Sequence, residues 1–176
     1  MENDKYLWPL NRKLSNGIID NVNKKGKTLL IGVGSCSILD YLVKKTEGTV
    51  DVIDSNNYLL ELAKEKYGDR CNYINGDFIF YKFDKLYENV ISTLPHKEFS
   101  LQDIDRILGK YCNLSLENII YLESKMPHVK NSYVKMWQDN KNKELESKNY
   151  RWVLTTKKNY KNIPPVNLCI LSKSKI

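Results

Sequence analysis

Short apolar runs alternate with amphipathic stretches along most of the chain. Thr28–Val33, Thr49–Asp54, Asn72–Asn75, Asn89–Thr93, Leu116–Glu123, Tyr150–Thr156 and Val166–Ser172 read as seven strands, and helical patterns separate the first five. Between Tyr6 and Val22, apolar positions at Leu7, Leu10, Leu14, Ile18 and Ile19 predict a covering helix, with Pro9 tolerated in its first turn. Asn56–Tyr67 is predicted as a helix that turns Leu59, Leu60, Leu62 and Ala63 to the sheet, with Ser55 or Asn56 as its cap. Strand–helix alternation implies a parallel sheet covered by helices on both faces, because parallel neighbours need a crossover. The last two strands differ: the stretch Lys157–Pro165 between them is too short for a helical crossover of about a dozen residues, so they should pair as an antiparallel hairpin.

Length adds a bound to this α/β picture. The 176 residues, 41% of them hydrophobic, suit one domain with a real core, divided into an N-terminal helical cover (1–26) and a core (27–176). No apolar stretch approaches the roughly 18 residues of a membrane span, and the first residues lack the pattern of a secretion signal. The expectation is a soluble, cytoplasmic protein. Cys36, Cys71, Cys112 and Cys169 are widely spaced, and His96 and His128 are the only histidines, so neither a metal site nor a disulfide framework is expected. A formal charge of +7 is compatible with nucleic acid or a phospholipid surface as partner. Scattered lysines on a solvated surface account for it equally well.

The chemistry starts at the exit of the first strand. Gly32-Val33-Gly34 leads into a helical stretch, and the next strand ends on Asp54, 20 residues after Gly34. Glycines let backbone approach a ligand closely, a helix start offers unpaired N–H groups, and an acid about 20 residues on can accept hydrogen bonds from ribose hydroxyls. This is the layout of a nucleotide-cofactor half-site. A plain tight turn at the glycines and a helix cap at Asp54 are the structural alternatives. Gly26-Lys27-Thr28 is not a phosphate-binding loop, since Asn21 stands where the first glycine belongs and the triplet precedes its strand. Ser37 at the third fingerprint position argues against a nicotinamide-dependent oxidoreductase.

Further motifs continue the pattern: Asn75-Gly76-Asp77-Phe78 after the third strand, and Asn89-Val90-Ile91-Ser92-Thr93-Leu94-Pro95-His96 at the fourth. With the terminal hairpin, the chain from Lys27 onward resembles the Rossmann-like class I S-adenosylmethionine-dependent methyltransferases. The resemblance implies S-adenosylmethionine as cofactor. Gly32, Val33 and Gly34 would lie against its methionine part, Asp54 with Ser55 at the ribose, and Asp77 at the adenine amino group with Phe78 beside the base. Ser92 would complete the set. Leu30 and Cys36 depart from the family, which often carries an acid at the first position and glycine at the second.

Thr93-Leu94-Pro95-His96 stands where ribosomal RNA adenine dimethylases carry Asn-Leu-Pro-Tyr. Ser92–Phe99 also resembles the Ser-x-Leu-Pro-x-x-x-Phe run of bacterial phospholipid N-methyltransferases, and Asn162-Ile163-Pro164-Pro165 their late Asn-x-Pro-Pro. The resemblance therefore implies N-methylation of a small molecule or phospholipid head group, with RNA or DNA adenine as the second acceptor class. Thr93, Pro95 and His96 are the catalytic candidates. An amine must react neutral, and His96, whose unperturbed pKa is about 6.5, is suited to take its proton; a plain surface histidine is the alternative. Tyr6 and Trp8 are candidates to close over the acceptor or to touch a membrane surface beside Lys5, Arg12 and Lys13. A non-catalytic cofactor-binding protein remains the rival from another class, motivated by Leu30, Cys36 and the altered fourth-strand motif.

Overall fold

A computed structural model describes residues 12–34, 36–93, 101–124, 150–160 and 166–175. In chain order these form α1 (Arg12–Ile19), β1 (Thr28–Ile31), α2 (Ser37–Lys45), β2 (Val50–Asp54), α3 (Asn57–Tyr67), β3 (Cys71–Asn75), β4 (Tyr87–Ser92), α4 (Leu101–Leu114), β5 (Ser115–Ser124), β6 (Tyr150–Tyr160) and β7 (Val166–Lys175). One sheet runs β3-β2-β1-β4-β5-β7-β6. The first five strands are parallel, and β7 lies antiparallel between β5 and β6. The terminal hairpin is thus antiparallel as expected, with strands longer than the sequence pattern suggested.

Strand alternation divides the core into two layers. On one face Leu30, Val52, Ile91 and Ile120 pack with Leu14 and Ile18 of α1, Leu39 and Leu42 of α2, and Leu60 and Ala63 of α3. On the other, Leu29, Ile31, Ile53, Val90 and Ile119 meet Ile107, Leu108 and Tyr111 of α4. Every residue of β1 is buried, as befits a parallel strand covered on both faces. In α3, Asn56 is the cap, accepting from the Tyr58 and Leu59 amides. Leu62, expected on the sheet, is instead 40% exposed, because Leu60 and Ala63 define the buried stripe.

The expected helix between the third and fourth strands is absent. Residues 76–86 cross from β3 to β4 as turns and extended chain, with Phe78 and Phe83 packed on the sheet. Those rings lie 6.0 Å apart, and Phe78 lies 5.4 Å from Tyr111. Aromatic side chains fill part of the layer that a helix would occupy. Gly76 opens this segment, and its backbone amide donates to the Asp54 carbonyl at 3.0 Å.

Two buried polar clusters fix the register at the opposite end of the strands. Thr28, Asn89, Asn118 and Ser172 are successive register partners across β1, β4, β5 and β7. They are joined side chain to side chain at 3.1, 3.3 and 3.0 Å. A one-residue slip of any strand would strand these groups in apolar surroundings. On the other face Asp51 accepts from Tyr87 Oη at 2.7 Å and Asn72 Nδ2 at 2.8 Å, and pairs with Lys85 Nζ at 2.7 Å. Burial pushes its carboxyl up, but the bonds from Asn72, Lys85 and Tyr87 outweigh burial and hold it below the usual range.

Asp51→Asn leaves at least one of these donors unpaired and should cost about 2 kcal/mol at pH 7, read as a lower urea midpoint with unchanged slope. A carboxylate with a depressed folded-state pKa stabilises above its unfolded pKa of about 3.9 and loses that contribution as pH falls through its folded value. The gap between wild type and Asp51→Asn should therefore hold down to about pH 4 and narrow below it.

Candidate functional site

The C-terminal ends of β1, β2 and β3 converge on a cleft of about 260 Å³ lined by Ile31, Gly32, Ile53, Asp54, Ser55, Gly76, Asp77, Phe78 and Ile79. Open α/β sheets bind ligands at this end of their strands, where neighbouring connections diverge. Five residues singled out from the sequence (Gly32, Asp54, Ser55, Asp77 and Phe78) line it together.

The turn leaving β1 is braced from two neighbours. Gly32 has φ 83° and Gly34 φ 53°, conformations that suit glycine. From β2, Asp54 Oδ2 accepts from the Val33 amide at 2.8 Å, while Oδ1 accepts from the Asn56 amide at 2.8 Å. From β4, the Thr93 hydroxyl donates to the Gly32 carbonyl at 2.9 Å and lies 3.3 Å from the Ile31 carbonyl. Asp54 therefore braces both the glycine turn and the turn into α3, whose cap is Asn56, and each carboxylate oxygen keeps accepting capacity for a ligand hydroxyl.

Asp77 is exposed at the rim, and its Oδ1 accepts from the Ile79 amide at 2.8 Å. It thus serves as a turn acid while also facing the cleft. Phe78 is 5% exposed and its ring belongs to the core beneath, so the apolar surfaces at the cleft come also from Ile31, Ile53 and Ile79. Ile79 was not evident from sequence; its position two residues beyond Asp77, on a tight Asx turn, is the only local signal. Ser92 and Thr93 make hydrogen bonds within the fold. Ser92 is buried and its hydroxyl accepts from Tyr111 at 2.6 Å, and the Thr93 hydroxyl is committed to the loop carbonyls. Both lie beneath or beside the cleft as supports. Pro95, His96, Tyr6 and Trp8 lie outside the described residues, as do Leu94, Lys97–Phe99 and Asn162–Pro165.

Lys110 is the other residue that sequence did not reveal. From α4 its ammonium donates to the carbonyls of Ile79 at 3.0 Å and Tyr81 at 2.6 Å, and also to that of Phe78. It sits 4.8 Å from the Phe78 ring centroid and 5.4 Å from that of Phe83. Burial pushes this ammonium down from its usual pKa, and the Asp77 carboxylate partly opposes that.

Neither a protein-family model nor a curated protein matches this sequence. Solved structures do match in fold. The magnesium protoporphyrin IX methyltransferase of Synechocystis PCC 6803, with bound S-adenosylmethionine, superposes with a TM-score of 0.69 at 12% identity over 92% of this chain and 77% of that one. The N-methyltransferase NodS of Bradyrhizobium japonicum WM9 gives 0.68 at 8% identity, covering 95% of this chain and 98% of that one. This chain has a methyltransferase fold. A dimethyladenosine transferase of Plasmodium falciparum shares that fold at a TM-score of 0.66 and 15% identity, 96% of this chain spanning 64% of its length.

Among the described residues Cys36 is the one non-glycine position with a left-handed backbone. It precedes α2 with φ 61° and makes no side-chain cap. Burial pushes its thiol up, which suits inert packing rather than a nucleophile. Tyr67 ties the site to α3, its hydroxyl donating to Asp40 Oδ1 at 2.9 Å and lying 3.3 Å from the Cys36 carbonyl. Among the described residues no cluster could hold a metal ion, and no helix is long and apolar enough to cross a membrane.

A left-handed conformation costs a side-chain-bearing residue about 1–2 kcal/mol. Cys36→Gly should therefore raise stability by up to about 0.5 kcal/mol once the greater chain entropy of glycine and the lost packing of the half-buried thiol are deducted, whereas Cys36→Val should lower it by more than about 1 kcal/mol. Urea midpoints of the two variants check both signs.

Proposed function

We propose that this chain is a methyltransferase that uses S-adenosylmethionine to N-methylate a small molecule or a phospholipid head group, with 1–26 as cover and 27–176 as catalytic core. The observation that carries the reading is the cleft itself, whose apolar isoleucine surfaces and two carboxylates suit a nucleoside. When bound, the cofactor supplies a methyl group activated on a sulfonium. Gly32, Val33 and Gly34 would lie along its methionine part, Asp54 with Ser55 would hold the ribose hydroxyls, and Asp77 would meet the amino edge of the base. Two neighbours of the same fold hold S-adenosylmethionine or S-adenosyl-L-homocysteine, which supports this cofactor.

Methyl transfer needs an in-line nucleophile with a free lone pair, so orientation and exclusion of water carry much of the rate. Pro95 and His96 follow Thr93 directly in the chain, and Thr93 is anchored to the glycine turn. That anchorage sets the start of the acceptor-side segment against the loop that holds the methyl donor. His96 takes the proton released as the amine becomes nucleophilic, and Tyr6 and Trp8 cover the acceptor. The roles of Pro95, His96, Tyr6 and Trp8 rest on the sequence motifs. A cofactor-binding protein without turnover is the second reading, favoured by the commitment of the Thr93 hydroxyl to Gly32 and by the strain at Cys36.

Calorimetry with S-adenosylmethionine and S-adenosylhomocysteine should show binding of both, and Asp54→Ala should weaken it by about 2 kcal/mol, roughly 30-fold. Incubation with cell extract split into lipid, RNA and small-molecule pools, read by mass spectrometry, should place the new methyl group in the lipid or small-molecule pool. A methylated RNA pool would favour adenine as acceptor, and binding with no product in any pool would favour the non-catalytic reading. Once the acceptor is known, His96→Ala should slow transfer most above about pH 7, where the imidazole is neutral and free to take a proton, and the gap to wild type should close as pH falls through about 6.5. An unchanged rate across pH 6–8 would remove His96 from the mechanism.

A further inference from the structure

The connection between β3 and β4 forms one wall of the cleft, yet residues 76–86 contain no helix to absorb their backbone carbonyls. Carbonyls enclosed by protein need donors. Three of them, on Phe78, Ile79 and Tyr81, turn to a single ammonium, that of Lys110 on α4. A lysine ammonium carries three N–H donors, so this clasp can engage all of them. The Phe78 and Phe83 rings flank the same ammonium and add cation–π attraction. The clasped backbone is continuous with Asp77, whose carbonyl accepts from the Phe80 and Tyr81 amides at 3.1 and 2.9 Å. Phe78 and Ile79 are thus at once cleft lining and Lys110 partners.

We infer that Lys110 is a positioning residue for the nucleoside end of the cofactor: its ammonium clasps the Phe78, Ile79 and Tyr81 carbonyls and so fixes the wall that bears Asp77 and Ile79. The inference rests on the cofactor reading above. The charge acts through the wall, and the residue donates to carbonyls 32, 31 and 29 positions before it in sequence. Lysine suits the task because a compact ammonium on a long stem can reach three convergent oxygens.

Lys110→Met keeps the stem and removes the donors; Lys110→Gln, with two amide N–H donors and no charge, is the second variant. Asp51→Asn serves as a control destabilised away from the cleft. The probes are S-adenosylhomocysteine and 5′-methylthioadenosine, which share the nucleoside but differ at the amino-acid end. For Lys110→Met, dissociation constants for both probes should rise about tenfold and by the same factor, with a smaller rise for Lys110→Gln and less than a twofold change for Asp51→Asn. In the free protein, amide exchange at Phe80 and Tyr81 should quicken in Lys110→Met, while Ile119 and Ile170 in β5 and β7 keep wild-type protection. Wild-type affinity for both probes in Lys110→Met, or an equal loss in Asp51→Asn, would overturn the role. Wild-type protein that binds neither probe would refute the cofactor reading itself, and unchanged exchange at Phe80 and Tyr81 would refute the clasp independently of any ligand.

Discussion

The site depends on a turn held between two polar side chains. As β1 ends, its backbone must leave the ladder, and the groups so released need partners in a crowded, half-buried setting. Asp54 satisfies the Val33 amide from one side, and Thr93 satisfies the Gly32 carbonyl from the other. Both residues stand at the exits of strands that pair with β1, so sheet register delivers them to the turn. The polar row from Thr28 to Ser172 at the far end of these strands protects that register. The cleft is thus a consequence of how the parallel strands are aligned, and a slip by one residue would dismantle it.

The two faces of the sheet solve the covering problem differently. Three helices cover one face, whereas the other has α4 and, beside it among the described residues, the aromatic crossover 76–86. A crossover without a helix has no internal ladder for its carbonyls, and Lys110 supplies donors from outside. The same segment bears Asp77, so covering the core and shaping the cleft become a single task.

Residues whose meaning depends on near neighbours in sequence were legible before the structure. The glycine turn, Asp54, Asp77 and the Asn56 cap all belong to local patterns, and each is found at the cleft or at the helix start where those patterns put it. The antiparallel hairpin followed from the short stretch between its strands. Features decided at long range were not legible. Thr93 looks like an acceptor contact in its motif, yet its hydroxyl is used 61 residues back by Gly32. Ser92 likewise serves Tyr111 of α4, and nothing beside Lys110 in sequence indicates the carbonyls it clasps. The expected helix between the third and fourth strands failed because Phe78, Phe83 and Tyr87 bury their rings from turns and extended chain.

The central claim is that this cleft holds the nucleoside of S-adenosylmethionine. A crystal structure of the protein grown with saturating S-adenosylhomocysteine tests it most directly. The account predicts ligand density at the ends of β1, β2 and β3, with the ribose hydroxyls on Asp54 and the base against Asp77 and Ile79. Density for the ligand at any other place, or a cleft without ligand at saturation, would contradict it.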